Sequence, residues 1–314
     1  MTLLPQHSPQ PAAPPMSASV RTWLQPVERL RATLSALFVL PALLLGLRVA
    51  GAEPADGKPP APARMHLFLL VGQSNMAGRG DIEPSDVEPL ANIVALDAAG
   101  EWVPAVDPLH WDKPSAGVGL ARAFAVEYSG RHPGVRVGLI PAACGGSPIA
   151  SWAPGKYYEG TRSHPYDDAL ARARRAMADG TLRGILWHQG ESDRSPELAP
   201  AYKQALTTLI HRFRRELQAP TVPFLIGQLG QFPAAPWDES AQRIDRAQRE
   251  VAASVPFAAF VPSHGLTSKP DNLHFDARSL RELGKRYALA LAALEAAPST
   301  ARRAASPRRA AATR

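Results

Sequence analysis

Two hydrophobic periods alternate between residues 65 and 294. Short, nearly continuous apolar runs stand at 65–71, 136–142, 184–188, 222–228 and 257–261, the pattern of strands buried on both faces of a parallel sheet. Between them, apolar residues recur at helical spacing over 116–128, 166–178, 196–217 and 240–252. A last helix over 277–294 sets Leu280, Leu283, Tyr287, Ala290 and Leu291 on one side. Parallel strands need long crossovers, so this order predicts an α/β domain. Its mainly parallel sheet has about five strands, with helices on both faces. A short extra strand is expected within 92–97, inside a long loop region.

The chemistry-bearing residues sit just after the apolar runs. In open α/β sheets, ligand and catalytic groups gather beyond the carboxyl ends of the strands. The first run is followed by Gly72-Gln73-Ser74-Asn75-Met76-Ala77-Gly78, the second by Cys144-Gly145-Gly146-Ser147-Pro148-Ile149. The third leads into His188-Gln189-Gly190-Glu191-Ser192-Asp193, and Asp271-Asn272-Leu273-His274-Phe275 follows the fifth. Each segment alone is a modest signal. Four of them at one sheet edge converge on one crevice.

Nucleophilic catalysis needs a hydroxyl, a base, an acid partner for that base, and donors for an oxyanion. Ser74 supplies the hydroxyl. His274 is the best base, because Asp271 three residues earlier can reach Nδ1 and leave Nε2 facing the serine. The competing role for Asp271 is a turn or helix cap, and Asp276 is an equal candidate to cap the final helix. Gly145 and Gly146 allow a backbone N–H to approach substrate closely. Gln189 offers a neutral amide donor, or else a buried amide that ties loops together. His188, Glu191 and Asp193 lack the spacing of a helical zinc site, and no Cys/His cluster exists. Met76 breaks a Gly-x-Ser-x-Gly elbow. Cys144 follows an apolar run and reads as a buried small hydrophobe. Neither a metal nor an organic cofactor is expected.

Together GQSNMAG, GGSPIASW, WHQGESD and DNLHF, in that order, resemble the four sequence blocks of the SGNH-hydrolase superfamily. They are most similar to its carbohydrate-acetylesterase branch, the sialate O-acetylesterase and acetyl xylan esterase domains. The resemblance spans about 65–294 and implies a three-layer α/β/α, flavodoxin-like fold with metal-free ester hydrolysis. It implies Ser74 as nucleophile, completed by Asp271 and His274. The amide of Ser74, an amide of Gly145 or Gly146 and the Gln189 side chain would form the oxyanion hole. Gln73, Asn75 and Glu191 would support the site. The implied substrate is an acetylated carbohydrate, of the acetylated xylan or sialic acid type; a broader lipid or aryl esterase is the runner-up. Trp111, Trp152, Tyr157, Tyr158 and Trp237 fall in loops and are candidates to stack on sugar rings, Trp152 and Trp237 foremost.

The ends change the picture of the whole chain. Residues 34–47 form an apolar run preceded by Arg29 and Arg31 and followed by Ala50-Gly51-Ala52. That is the layout of a secretory signal, too short for the roughly 20 residues of a membrane span. Residues 1–52 are therefore expected to be an export signal with an extended leader, Met16 being a candidate start. An uncleaved membrane anchor is the competing reading. Residues 53–64 read as a Pro/Ala-rich linker and 297–314 as an Arg-rich disordered tail. Of the formal net charge of +7, residues 1–52 carry +3 and 301–314 carry +5, which leaves −1 between them. The basic pI thus belongs to the ends and gives no argument for nucleic acid. A single cysteine forbids an intrachain disulfide. With an export signal, that fits a periplasmic or secreted enzyme stabilised by its core.

Overall fold

The computed structural model describes residues 65–297. Seven strands, β1 (Met65–Gly72), β2 (Ile93–Leu96), β3 (Trp102–Pro104), β4 (Val137–Pro141), β5 (Gly180–His188), β6 (Phe224–Gly227) and β7 (Ala258–Val261), form one sheet in the order β3-β2-β4-β1-β5-β6-β7. All neighbours are parallel except β2 and β3. The helices are α1 (Ser74–Ala77), α2 (Ala121–Arg131), α3 (Pro165–Met177), α4 (Tyr202–Glu216), α5 (Glu239–Ser254) and α6 (Ala277–Ala296).

Strand β1 shows why the layers form. Leu67, Leu69 and Val71 pack in one core with α3, α4 and α5, while Phe68 and Leu70 join α2 and α6 in the other. Successive side chains of a strand point to opposite faces, so a run apolar at every position requires cover on both sides. The result is a three-layer α/β/α domain with β1 at its centre. Helix ends follow local chemistry. Pro165 opens α3 with Asp167 and Asp168 in its first turn and Arg174 and Arg175 in its last, matching the helix dipole. The Asp238 and Asp276 carboxylates cap α5 and α6 by accepting from the amides of Ala241 and Ser279.

Three differences from the sequence reading have physical causes. The sheet has seven strands, not about five: β2 is the short strand expected within 92–97, and β3 was not foreseen. That strand is a three-residue antiparallel edge ending in Pro104, a position that tolerates a residue without an N–H donor. Helix α2 begins at Ala121 rather than 116, because Gly117 and Val118 pair with Gly78 and Gly80 of the first loop. The 196–217 pattern divides into a 3-10 turn at Ala199–Ala201 and α4 proper. Among the described residues no helix is long and apolar enough to cross a membrane. The expectations for the signal at 1–52, the linker at 53–64 and the tail beyond 297 lie outside the described residues.

Candidate active site

The four loops expected to converge do meet at the carboxyl edge of the sheet. Gly72 ends β1 at φ +130°, and a Cβ there would lie 2.1 Å from the carbonyl oxygen of His188 on β5. Only glycine permits this close approach of strands. The chain then turns, with the Gln73 amide donating to His188 O at 2.9 Å, and Ser74 opens the single turn α1. Ser74 is buried except for a small accessible fraction, 7%.

His274 Nε2 stands 2.9 Å from Ser74 Oγ, and His274 Nδ1 stands 2.7 Å from Asp271 Oδ2. Asp271 Oδ1 also accepts from the backbone amides of Leu273 and His274, both at 2.9 Å. One carboxylate thus holds the imidazole and the loop that carries it. Partial burial pushes the Asp271 carboxyl up, but the amides and ring of His274 and the Leu273 amide outweigh it and hold it down at about 2. Asp271 is therefore an anion across the working pH range, and the proton between it and the ring belongs to Nδ1. That leaves Nε2 as an acceptor for the serine hydroxyl. Asp276, the rival cap, does cap α6.

The oxyanion donors need correction. Gln189 is fully buried, and its Nε2 donates to Ser147 O at 3.0 Å and to Asp193 Oδ2 at 2.5 Å. Both amide hydrogens are consumed in tying the second and third loops together. Gly145 is likewise committed, its N–H donating to Asp112 Oδ2 at 2.8 Å, and Asp112 pairs with Arg79 at 2.7 Å. The amide of Ser74, first in its turn, the amide of Gly146 and the Gln73 side-chain amide each have no protein acceptor among the described residues. Gln73 Oε1 accepts from the amides of Gly190 and Ser192 at 3.4 and 3.3 Å. Those bonds orient the side chain so that Nε2 is its free end. Gly146 lies at φ +84°, and a Cβ there would come within 3.0 Å of Tyr158 Oη and 3.7 Å of Lys113 Nζ. Those two side chains form the wall beside it.

Behind the serine lies a buried polar layer. Asn75 Nδ2 donates to Glu191 Oε1 at 2.6 Å and to Leu273 O at 3.2 Å, and Asn75 Oδ1 accepts from Phe275 N at 3.1 Å. His188 is fully buried, bonded through Nδ1 to Tyr287 Oη at 3.2 Å, with Nε2 3.9 Å from Glu191 Oε1. Desolvation pushes the His188 imidazole down, more than Glu191 can raise it, which keeps it neutral. Among the described residues no group of three His, Cys, Asp or Glu is placed to hold a metal ion. Cys144 is buried, and its burial pushes the thiol up, the opposite of an activated nucleophile.

Trp152 does not offer a stacking face. It is 1% exposed, packs edge-on against Trp187 and donates from Nε1 to Ser147 Oγ at 2.9 Å. Its flanks, Ile149 and Ser151, are also buried. A 3-10 turn here buries a large apolar ring that the loop-like sequence left looking available. Trp237 is half-buried against the core and donates to Gly230 O at 2.7 Å. Its remaining surface lines an open cleft of about 380 Å³ with Gln231, Phe232, Pro233, Pro236 and Gln242. Among the described residues Trp111 and Tyr157 are the exposed aromatic rings, and Arg172 lies over Trp111 at 4.6 Å from the ring centre.

A hydroxyl, an imidazole and an ionised carboxylate in sequence, beside unpaired donors on a three-layer α/β frame, have the geometry that acyl-transfer chemistry requires. The family model for "Carbohydrate esterase, sialic acid-specific acetylesterase" matches residues 64–293, and the chain belongs to that family. It is 30% identical over 256 residues to "Probable carbohydrate esterase At4g34215" of Arabidopsis thaliana, covering 74% of this chain and 93% of that protein. The X-ray structure of the same Arabidopsis protein superimposes with a TM-score of 0.65 at 29% identity, over 73% of this chain and 98% of that one. XAC1771, a carbohydrate acetylesterase from Xanthomonas citri, shares the fold at 21% identity and a TM-score of 0.56, over 72% of this chain and 55% of that one.

Proposed function

We propose that this carbohydrate esterase removes O-acetyl groups from sugars through an acetyl-Ser74 intermediate. One observation carries the reading: the unbroken series of Asp271 Oδ2, His274 and Ser74 Oγ, joined at 2.7 and 2.9 Å. His274 Nε2 takes the hydroxyl proton as Ser74 Oγ attacks the acetyl carbonyl. The oxyanion meets the amides of Ser74 and Gly146 and Gln73 Nε2, none of which is paired within the described residues. Each such donor is worth about 3 kcal/mol in the barrier. The C–O bond to the sugar breaks, and its oxygen leaves with the proton from Nε2. Water, deprotonated by the same nitrogen, then attacks acetyl-Ser74 and releases acetate. Asp271 stabilises the imidazolium in both steps and remains ionised.

Acetylated xylan and acetylated sialic acid-type sugars are the substrates, and the partners, to test. Export of the protein belongs to the same proposal, since acetylated polymers lie outside the cell. Acetate release from both substrates is measured for the full chain and its Ser74→Ala variant. Release by the wild type alone is the expected result. A folded wild type that leaves both sugars and 4-nitrophenyl acetate intact overturns the esterase reading and puts a non-catalytic carbohydrate-binding protein in its place.

A further inference from the structure

We infer that Asn75, held by Glu191, is the positioning residue that sets the distance between nucleophile and base. The inference rests on the esterase reading above. Asn75 is joined to Ser74 by a peptide bond, and its amide grips the backbone on both sides of His274: Nδ2 donates to Leu273 O and Oδ1 accepts from Phe275 N, at 3.2 and 3.1 Å. No other side chain described links the serine loop to both neighbours of the histidine. Lys269 ties the same hairpin to Arg79 O at 2.9 Å, but from the far strand of the turn. Asp271 fixes the imidazole within its own loop. It cannot set how far that loop stands from Ser74, which lies 200 residues away in sequence. Asn75 can.

The amide works only in one orientation. If Asn75 were flipped, its carbonyl would face Leu273 O and its NH2 would face Phe275 N–H, and both bonds would be lost. Glu191 Oε1, an acceptor 2.6 Å from Nδ2, selects the productive orientation. Asn75 is fully buried and the Glu191 side chain is 5% exposed, so water is excluded as a substitute partner. The neighbouring His188, neutral and bonded to Tyr287, does not compete for Oε1. The third loop thus acts on the fourth through one side chain of the first.

Kinetics of full-length variants on 4-nitrophenyl acetate test this. Misplacing a reacting group by about 1 Å costs about 10²-fold. Asn75→Ala is therefore expected to lower kcat by about 100-fold with KM within twofold. In a His274→Ala background the same substitution is expected to cost less than threefold, since there is no base left to misplace. Glu191→Gln retains an acceptor and is expected to stay within about fivefold of wild type, whereas Glu191→Leu follows Asn75→Ala. The inference is overturned if Asn75→Ala keeps kcat within threefold, if its loss persists undiminished in the His274→Ala background, or if Glu191→Leu matches wild type. Should Asn75→Ala not fold, the Glu191 pair decides alone. Ser74→Ala runs alongside: if it is as active as wild type, the esterase reading itself has failed, and the positioning role was not what the assay measured.

Discussion

Replacing Asp271 by Asn tests the proposed triad at its least conspicuous member. Asp271 Oδ1 accepts two backbone amides, Leu273 and His274, at 2.9 Å. An asparagine must keep its carbonyl oxygen there, or its NH2 would face two N–H donors. The NH2 then takes the place of Oδ2, 2.7 Å from His274 Nδ1. Nδ1 must become the acceptor, the ring proton moves to Nε2, and Nε2 donates to Ser74 Oγ when it should accept. A wrong tautomer of this kind costs about 10⁴-fold in kcat in a buried triad. Here the Asp271 side chain is 45% exposed, so water can assist the ring, and about 10³-fold is expected, or about 4 kcal/mol at 1.36 per tenfold. Stability should change by less than about 1 kcal/mol, the usual value of an exposed pair. Initial rates on 4-nitrophenyl acetate at pH 7.5, with thermal melts of both proteins, measure the two quantities. A variant within tenfold of wild-type kcat refutes the triad. The acid side of the pH profile adds a check. Asp271 is lowered to about 2 from 3.8, so its stabilising contribution is present above about pH 4 and lost only as pH falls through 2. A fall in kcat/KM at higher pH therefore does not report Asp271.

Three further outcomes are expected. Gln73→Leu lowers kcat by about 10²–10³-fold and takes the acceptor from the Gly190 and Ser192 amides, whereas Gln189→Leu strips partners from Ser147 O and Asp193, each group left unpaired costing about 1–3 kcal/mol; a larger kcat loss for a folded Gln189 variant reverses the assignment. Trp152→Ala opens the core and lowers stability by about 3–5 kcal/mol, and a raised KM on polymeric sugar with unchanged melting would restore the stacking role. Desolvation raises buried Asp107 to about 7, with Asp86 adding to it, and desolvation lowers buried His110 to about 4. The Asp107 contribution is complete below pH 3.8 and lost as pH rises through 7, about 4 kcal/mol; that of His110 is complete above 6.5 and lost as pH falls through 4, about 3 kcal/mol. Asp107→Asn should therefore lose more stability relative to wild type at pH 4.5 than at 7.5, read from urea midpoints of both proteins at the two pH values. Parallel behaviour of the two proteins would show that Asp107 ionises normally.

Much of this protein could be read from one dimension. A strand apolar at every position must be covered on both faces, so β1 alone implied three layers. The carboxyl ends of parallel strands lie at one edge, so residues following those runs had to meet. Ser74, Asp271 and His274 were legible for that reason, and so was the role of Gly72 as a small residue at a turn. Folding decided whatever depended on which partner a polar group finds. Gln73 and Gln189 are the same side chain on neighbouring loops. Only the amides of Gly190 and Ser192 at one, and Ser147 O with Asp193 at the other, determine which is free. Gly145 and Gly146 differ because Asp112, more than thirty residues away, reaches one of them. Trp152 is buried because Trp187 and Ser147 lie beneath its loop, which no periodicity records. Local pattern encodes burial along an element. Hydrogen-bond partners, which here join different loops at Gln73, Gln189 and Gly145, are settled only when the loops pack.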